Sequence, residues 1–215
     1  KLGWELAEGL QGSGYDDTNE NHPVTKIGFL DATLWCNALS KMAGLESCYF
    51  VEDANGKIQV FEPNMLTDAQ ERGVHLNQTA NGIRLPTGNE WEVAARGGLV
   101  GKKYPWGNEY PGSTRANWYV GNGMPNTTTE VGSYPENGYG LFDMAGGVWE
   151  MTWDDALQPD LETPAVLTKT YVNRGGAWNA GWSPEVSTNG WSIRFGDRRH
   201  EFGFRVASNG TSMGK

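Results

Sequence analysis

Beyond residue 98 the chain shows almost no apolar periodicity of either the helical or the strand kind. It runs instead through short motifs of Trp, Gly, Pro and Asn, such as Tyr104-Pro-Trp-Gly107, Asn137-Gly-Tyr-Gly140 and Gly146-Gly-Val-Trp149. A helical bundle or a repeat array cannot be built on such a stretch. Folded, it must be held by buried Trp side chains and by side chains that satisfy the loop backbone, because long irregular segments otherwise leave N–H and C=O groups unpaired. Thirty Gly, ten Pro and ten Trp in 215 residues fit short strands joined by turns and long ordered loops. The expectation is one loop-rich α+β domain, since no linker divides the chain.

The first half is more regular. Residues 1–22 are polar and without periodicity, and are expected to be irregular. Asp31 serves as a predicted N-cap, Ala32, Leu34, Leu39 and Met42 follow among polar positions, and Gly44 closes the helix, with Trp35 and Cys36 expected inward. Two β-type runs, at Cys48–Val51 and Lys57–Phe61, flank Asn55-Gly56 and predict a hairpin. Thr87 and Glu90 have capping-box spacing and open a second helix that Arg96-Gly97-Gly98 ends. Further strands are predicted around 172–178 and 203–207.

The formal charge of −9 and pI near 4.8 exclude a nucleic-acid partner, because the 17 basic residues are outnumbered and scattered. No apolar run reaches the roughly 18 residues that a membrane span needs. Cys36 and Cys48 are too few for a disulfide framework and read as buried structural thiols. Glu62-Pro63-Asn64 copies a sugar-binding tripeptide of some lectins but has no partner motif downstream. Asp154-Asp155, adjacent rather than separated, reads as surface solvation and not as a glycosidase pair.

Taken in order, Arg84-Leu-Pro-Thr-Gly-Asn-Glu-Trp-Glu-Val-Ala-Ala-Arg-Gly-Gly98, Tyr104-Pro-Trp-Gly107, Ala116-Asn-Trp118, Asn137-Gly-Tyr-Gly-Leu-Phe-Asp143, Gly146-Gly-Val-Trp-Glu150, Arg174-Gly-Gly-Ala-Trp-Asn179 and Gly203-Phe-Arg205 resemble the successive motifs of the sulfatase-modifying-factor (formylglycine-generating-enzyme) family. With Pro23-Val24, Asp31-Ala32 and Trp35-Cys-Asn37, the resemblance covers about residues 23–207, and it implies a C-type-lectin-like fold of the formylglycine-generating-enzyme type, with two helices and short antiparallel strands. The domain is accordingly expected over 23–215. The family's N-terminal strand segment is not recognisable.

Family members that oxidise a sulfatase cysteine use a cysteine pair where this chain has Ala180 and Glu185. Neither a methyl nor a carboxylate replaces thiolate chemistry. The resemblance therefore implies a protein that is not this enzyme. His22, His75 and His200 are too dispersed in sequence for the His-rich site of the related iron enzymes.

From Arg174 to Arg205 the framework is similar to the variable region of diversity-generating-retroelement proteins, which display mutated residues on this fold. That likeness implies a non-enzymatic ligand-binding protein, receptor- or adhesin-like, with a variable region over 174–207. The candidate contact residues are Ala180, Ser183, Thr188, Asn189, Ser192, Ile193, Phe195, Asp197, Arg199 and His200. Adenine replacement in asparagine codons cannot yield Trp or Glu, so Trp182, Trp191, Glu185 and Glu201 are expected to be fixed. The ligand implied is a macromolecule, a protein by preference, met at a bacterial or phage surface, with any lipid anchor outside this chain. The family also places a structural Ca²⁺ at Asp143, Glu150 and the carbonyls of Gly146 and Val148, although Gly147 stands where the family usually has Asn; no organic cofactor is implied. An enzyme of altered chemistry and a fixed accessory domain remain the alternatives.

Overall fold

The computed structural model describes residues 10–11, 20–119, 127–156, 170–180, 185–186, 193–194 and 197–209. Near the N-terminus β1 (Leu10–Gln11) pairs antiparallel with β2 (Val24–Thr25), a short strand within the stretch expected to be mostly irregular. Helix α1 (Phe29–Met42) begins two residues before Asp31. Gly28 is the cap, and Asp31 sits one turn in, accepting the Gly28 N–H at 2.8 Å. Within α1, Cys36 is fully buried, whereas Trp35 is 39% exposed and meets Phe204 edge-on, which corrects its inward placement.

The hairpin forms as its sequence predicts. Strands β3 (Tyr49–Glu52) and β4 (Ile58–Val60) pair antiparallel, and β5 (His75–Leu76) adds to the other edge of β3. Gly56 takes φ +79°, the left-handed region that the tight turn requires. Asn37 ties α1 to this sheet. Its amide group donates to the Tyr49 and Phe61 carbonyls and its Oδ1 accepts from the Cys48 and Tyr49 amides. Between β4 and β5 lie a 3-10 turn (Pro63–Met65) and α2 (Leu66–Arg72), a helix the sequence reading did not find. The Glu62-Pro63-Asn64 tripeptide falls on that turn.

Strand β6 (Ile83–Arg84) leads to α3 (Gly88–Arg96), whose Thr87–Glu90 capping box forms as predicted and whose C-cap is Gly97. The second half is centred on β7 (Trp149–Ala156), β8 (Thr170–Arg174), β9 (Ile193–Arg194) and β10 (Phe202–Gly203), a four-stranded sheet in the order β10-β7-β8-β9. β10 runs parallel to β7, and the other pairs are antiparallel. The last strand, β11 (Ala207–Ser208), returns to pair with β6. The main core fills the space between α1 and these sheets, with Phe29 stacked on Tyr171 at 3.5 Å and Tyr49 and Trp153 alongside. A smaller cluster of Trp91, Ala95, Met144 and Val186 packs under α3.

Candidate functional site

Two places matter: the 143–150 turn, where the metal ligands are expected, and the segment from β8 to β10, where the variable face is expected. The turn is backbone-determined. Asp143, Gly146 and Gly147 all have positive φ, and a Cβ at Gly146 would collide with the Asn117 carbonyl. The Gly146 amide donates to Gly175, the Gly147 amide to Asn117, and the Gly147 carbonyl accepts from Trp178, so the turn is welded to the Arg-Gly-Gly strand end.

Asp143 and Glu150 line one cavity of about 550 Å³, whose walls include Val24, Leu141, Phe142 and Phe204. The two carboxylates differ in their partners. Asp143 accepts the Gly132 N–H at Oδ2, 2.5 Å, while its buried Oδ1 has no hydrogen-bond partner. Burial pushes the Asp143 carboxyl up, against the lowering pull of the Gly132 N–H and of Arg205. A buried, unpartnered carboxylate oxygen on a tight turn fits a hard cation such as Ca²⁺.

Glu150 is fully engaged. It accepts the Trp91 indole N–H at 2.5 Å and both arms of Arg205, Nε at 2.5 Å and Nη2 at 2.6 Å. Among the described residues no three His, Cys, Asp or Glu side chains converge as metal ligands. The sequence reading missed Arg205 as a participant, although Gly203-Phe-Arg205 was in plain view as a motif.

In the second segment Ala180 and Glu185, where the resemblance implies cysteine, are both anchored. Ala180 is 6% exposed, its amide donates to Ala177, and its methyl joins the main core. That burial corrects its assignment to a contact surface. Glu185 lies 3.6 Å from Lys103, and the neighbouring Val186 donates to the Lys103 carbonyl and packs under α3. The chain's two thiols lie elsewhere. Cys36 and Cys48 are both free and buried, and burial pushes both pKa values up.

At the end of the segment Arg198 pairs with Asp31 at 2.9 Å and the Arg199 carbonyl accepts the Lys26 N–H, so residues 197–200 are tied to α1 and β2. Arg199 is exposed, with its guanidinium over the Phe202 ring, and Asp197 and His200 are half-buried. Ile193 belongs to β9, paired with Tyr171. Ser183, Thr188, Asn189, Ser192 and Phe195 lie outside the described residues.

The sulfatase-modifying factor enzyme 1-like domain matches residues 4–210. The chain belongs to this family. The match begins at residue 4, well before the first motif recognisable in the sequence. The fold is accordingly the C-type-lectin-like one of formylglycine-generating enzymes. Chaperone protein LppX of Paenibacillus barcinonensis is 31% identical over 190 residues, 81% of this chain and 65% of its own. Inactive C-alpha-formylglycine-generating enzyme 2 of Mus musculus is 41% identical over 106 residues, 45% of this chain and 32% of its own. The chain thus spans less than two thirds of the length of these curated relatives. Among solved structures, Treponema denticola variable protein 1 superposes with a TM-score of 0.73 at 28% identity, covering 90% of this chain and 73% of that one. The chain is thus similar both to a relative named as inactive and to a solved structure named as a variable protein. No helix among the described residues is long and apolar enough to cross a membrane.

Proposed function

We propose that the chain is a non-enzymatic member of the sulfatase-modifying-factor family that binds a macromolecular partner, by preference a protein, through the segment that follows Ala180, residues 181–201. The observation that supports the reading is the surroundings of Ala180 and Glu185, the positions at which the resemblance implies cysteine. Ala180 is packed into the core and Glu185 faces Lys103, so neither can supply the thiolate that oxidation requires. Both thiols the chain does have are buried, one within α1 and one just before β3, distant in sequence from that segment.

Two further facts favour a display role. The likeness to a variable protein covers nine tenths of the chain, and the relative matched over most of the chain is named a chaperone protein, which accords with a protein partner. The pins at Arg198 and Arg199 hold the end of the segment on the scaffold while the Arg199 side chain stays exposed. A bacterial or phage surface is the matching location.

Calcium has a structural part in this reading. Asp143 and Glu150 with the carbonyls of Gly146 and Val148 would hold the ion; the buried Asp143 oxygen supports this, while Glu150 is already bonded to Arg205 and Trp91.

Substitution tests the face directly. Phe195→Ala and Arg199→Ala are expected to weaken capture of a protein partner, and Arg199→Ala, at an exposed side chain, to leave thermal unfolding unchanged. Full binding by both variants, with a protected footprint outside 174–207, contradicts the reading. Dioxygen consumption and conversion of a sulfatase cysteine peptide by the purified chain would favour the enzymatic alternative.

A further inference from the structure

We infer that Trp35 is a fixed aromatic anchor of the binding face: it takes an apolar side chain of the partner protein at the edge of residues 197–200, where Arg199 takes a carboxylate of the same partner segment. The inference rests on the binding reading above. It adds a contact residue from outside the 174–207 stretch and the chemistry of what that residue meets.

Two contacts place Trp35 there. Asp31 and Trp35 are one helical turn apart on α1, so their side chains share a face. Arg198 lies on Asp31, with Nη2 at 3.0 Å from Oδ1 and 2.9 Å from Oδ2, and so covers the turn of α1 next to the indole. From the other side Phe204 meets the Trp35 ring edge-on, the ring centroids 5.4 Å apart. Phe204 directly follows β10, and within β10 the Phe202 ring carries the Arg199 guanidinium at 5.5 Å from its centroid. From Arg199 to Trp35 the surface therefore runs along one short stretch of chain and one face of α1.

An indole held this way binds at low entropic cost. Trp35 stays 39% exposed while Cys36 beside it is fully buried. Its backbone is helical and its ring is braced by Phe204, so little side-chain freedom is lost when a partner covers it. The two arginines differ in use. Arg198 is spent on Asp31, whereas Arg199, 55% exposed, has Glu201 only at 3.9 Å. A guanidinium held that loosely can take a carboxylate in its planar fork. Trp and Arg are also the residue types that most often carry the energy of an interface.

Charge narrows the partner. The chain as a whole is at −9, but in this window Lys26, Arg198 and Arg199 balance Asp31, Asp197 and Glu201. A cationic segment is drawn to the rest of the surface and gains no such preference here, whereas an apolar group beside a carboxylate suits the indole and Arg199 together. Trp35 lies outside 174–207 and is the same in every version of the face. It supplies affinity common to them all, and the residues that change select among partners.

The test uses the whole chain and fluorescein-labelled peptides selected on it from a random peptide library. The enriched peptides are expected to pair an aromatic or aliphatic residue with Asp or Glu. A pool dominated by Lys and Arg, or no enrichment over a control protein, overturns the proposal. Trp35→Ala is expected to weaken binding of the enriched peptides by about tenfold or more, and Arg199→Ala likewise. A loss with Arg199→Ala alone overturns the role of Trp35 and leaves the binding reading standing. A loss with Trp35→Ala alone also overturns the proposal, since the indole would then lie outside the face. Binding that neither variant changes overturns the proposal and the binding reading together. Because Trp35 packs on Phe204, fluorine NMR of the unsubstituted chain labelled with fluorotryptophan supplies a readout that a purely structural role does not move. The Trp35 resonance, assigned by its loss in Trp35→Phe, is expected to shift when peptide is added. If Trp35→Ala fails to fold, this shift decides, and an unmoved resonance overturns the proposal.

Discussion

Arg198 reaches across the sequence to the carboxylate of Asp31, its Nη2 lying 3.0 Å from Oδ1 and 2.9 Å from Oδ2, while Oδ2 also accepts the Gly28 amide at the start of α1. One carboxylate thus caps a helix and anchors the end of the candidate binding segment. Asp31→Ala is expected to destabilise the domain by about 1–2 kcal/mol, since it removes both roles. Arg198→Ala, at a side chain half exposed to water, is expected to change stability by less than about 1 kcal/mol. Urea unfolding of both variants measures the difference. Its binding consequence is the reverse: Arg198→Ala weakens partner binding by loosening residues 197–200 although it touches stability little.

The 143–150 turn makes a sharper demand on its backbone. Gly146 has φ +76° and its Cα faces the Asn117 carbonyl at a distance that leaves no space for a methyl group. Gly146→Ala is therefore expected to cost about 2–4 kcal/mol, through strain and through displacement of the strand end at Gly175. Gly147→Ala meets no such obstacle, though its φ of +75° still costs something. Thermal melts of the two variants should rank them in that order.

Acid should unfold the protein in part through one pair. Arg84 grips Glu90 with two bonds of 2.7 Å, and that hydrogen-bonded guanidinium holds the Glu90 carboxyl down at about 2. The folded pKa lies below the unfolded value, so the stabilisation is complete above about pH 4.5 and is lost as pH falls toward 2. Because the Glu90 side chain is 44% exposed, the contribution is about 1 kcal/mol once solvent screening is allowed for. Glu90→Gln should remove this part of the pH dependence between pH 4.5 and 2 in denaturant titrations. An identical acid profile in the two proteins contradicts the assignment.

The two thiols offer a check on chemistry. Burial raises the pKa of both Cys36 and Cys48, so neither forms a thiolate readily in the native protein. Alkylation by iodoacetamide at neutral pH should be negligible in the folded chain and complete in urea. Rapid labelling of the native protein would point to a reactive cysteine and revive an enzymatic reading.

Local chemistry was the legible part of this protein. Asn55-Gly56 fixed its hairpin and Thr87 with Glu90 fixed the start of α3, because each signal is a side chain acting on its own backbone. Failures arose where a partner is distant in sequence. Trp35 looked like a core residue, but its contact is Phe204 on the far side of the chain. Asp154 looked solvated, yet its Oδ2 accepts the Gly88 amide at 2.6 Å and so anchors the N-terminus of α3. The short α2, seven residues without a strong apolar stripe, is held by the burial of Ala69 and the neighbouring Met65 and Val74 rather than by its own propensity. At the 143–150 turn the carboxylates were visible as a motif, and the partner of Glu150 was not. Arg205 lies 55 residues from Glu150, and only the pairing of β10 beside β7 brings them together.

The central claim is that this scaffold presents a variable face, and sequencing tests it most directly. A population grown from one cell of the source organism is sequenced deeply over codons 174–207, together with any nearby non-coding copy of that stretch. The account predicts changes confined to adenine positions of the copy, at Asp197, Arg199, His200 and the remaining candidates of 183–195. Ala180, Glu185, Arg198 and Glu201, tied to the core or to the scaffold, should stay constant. An invariant segment with no copy anywhere near it would contradict the claim.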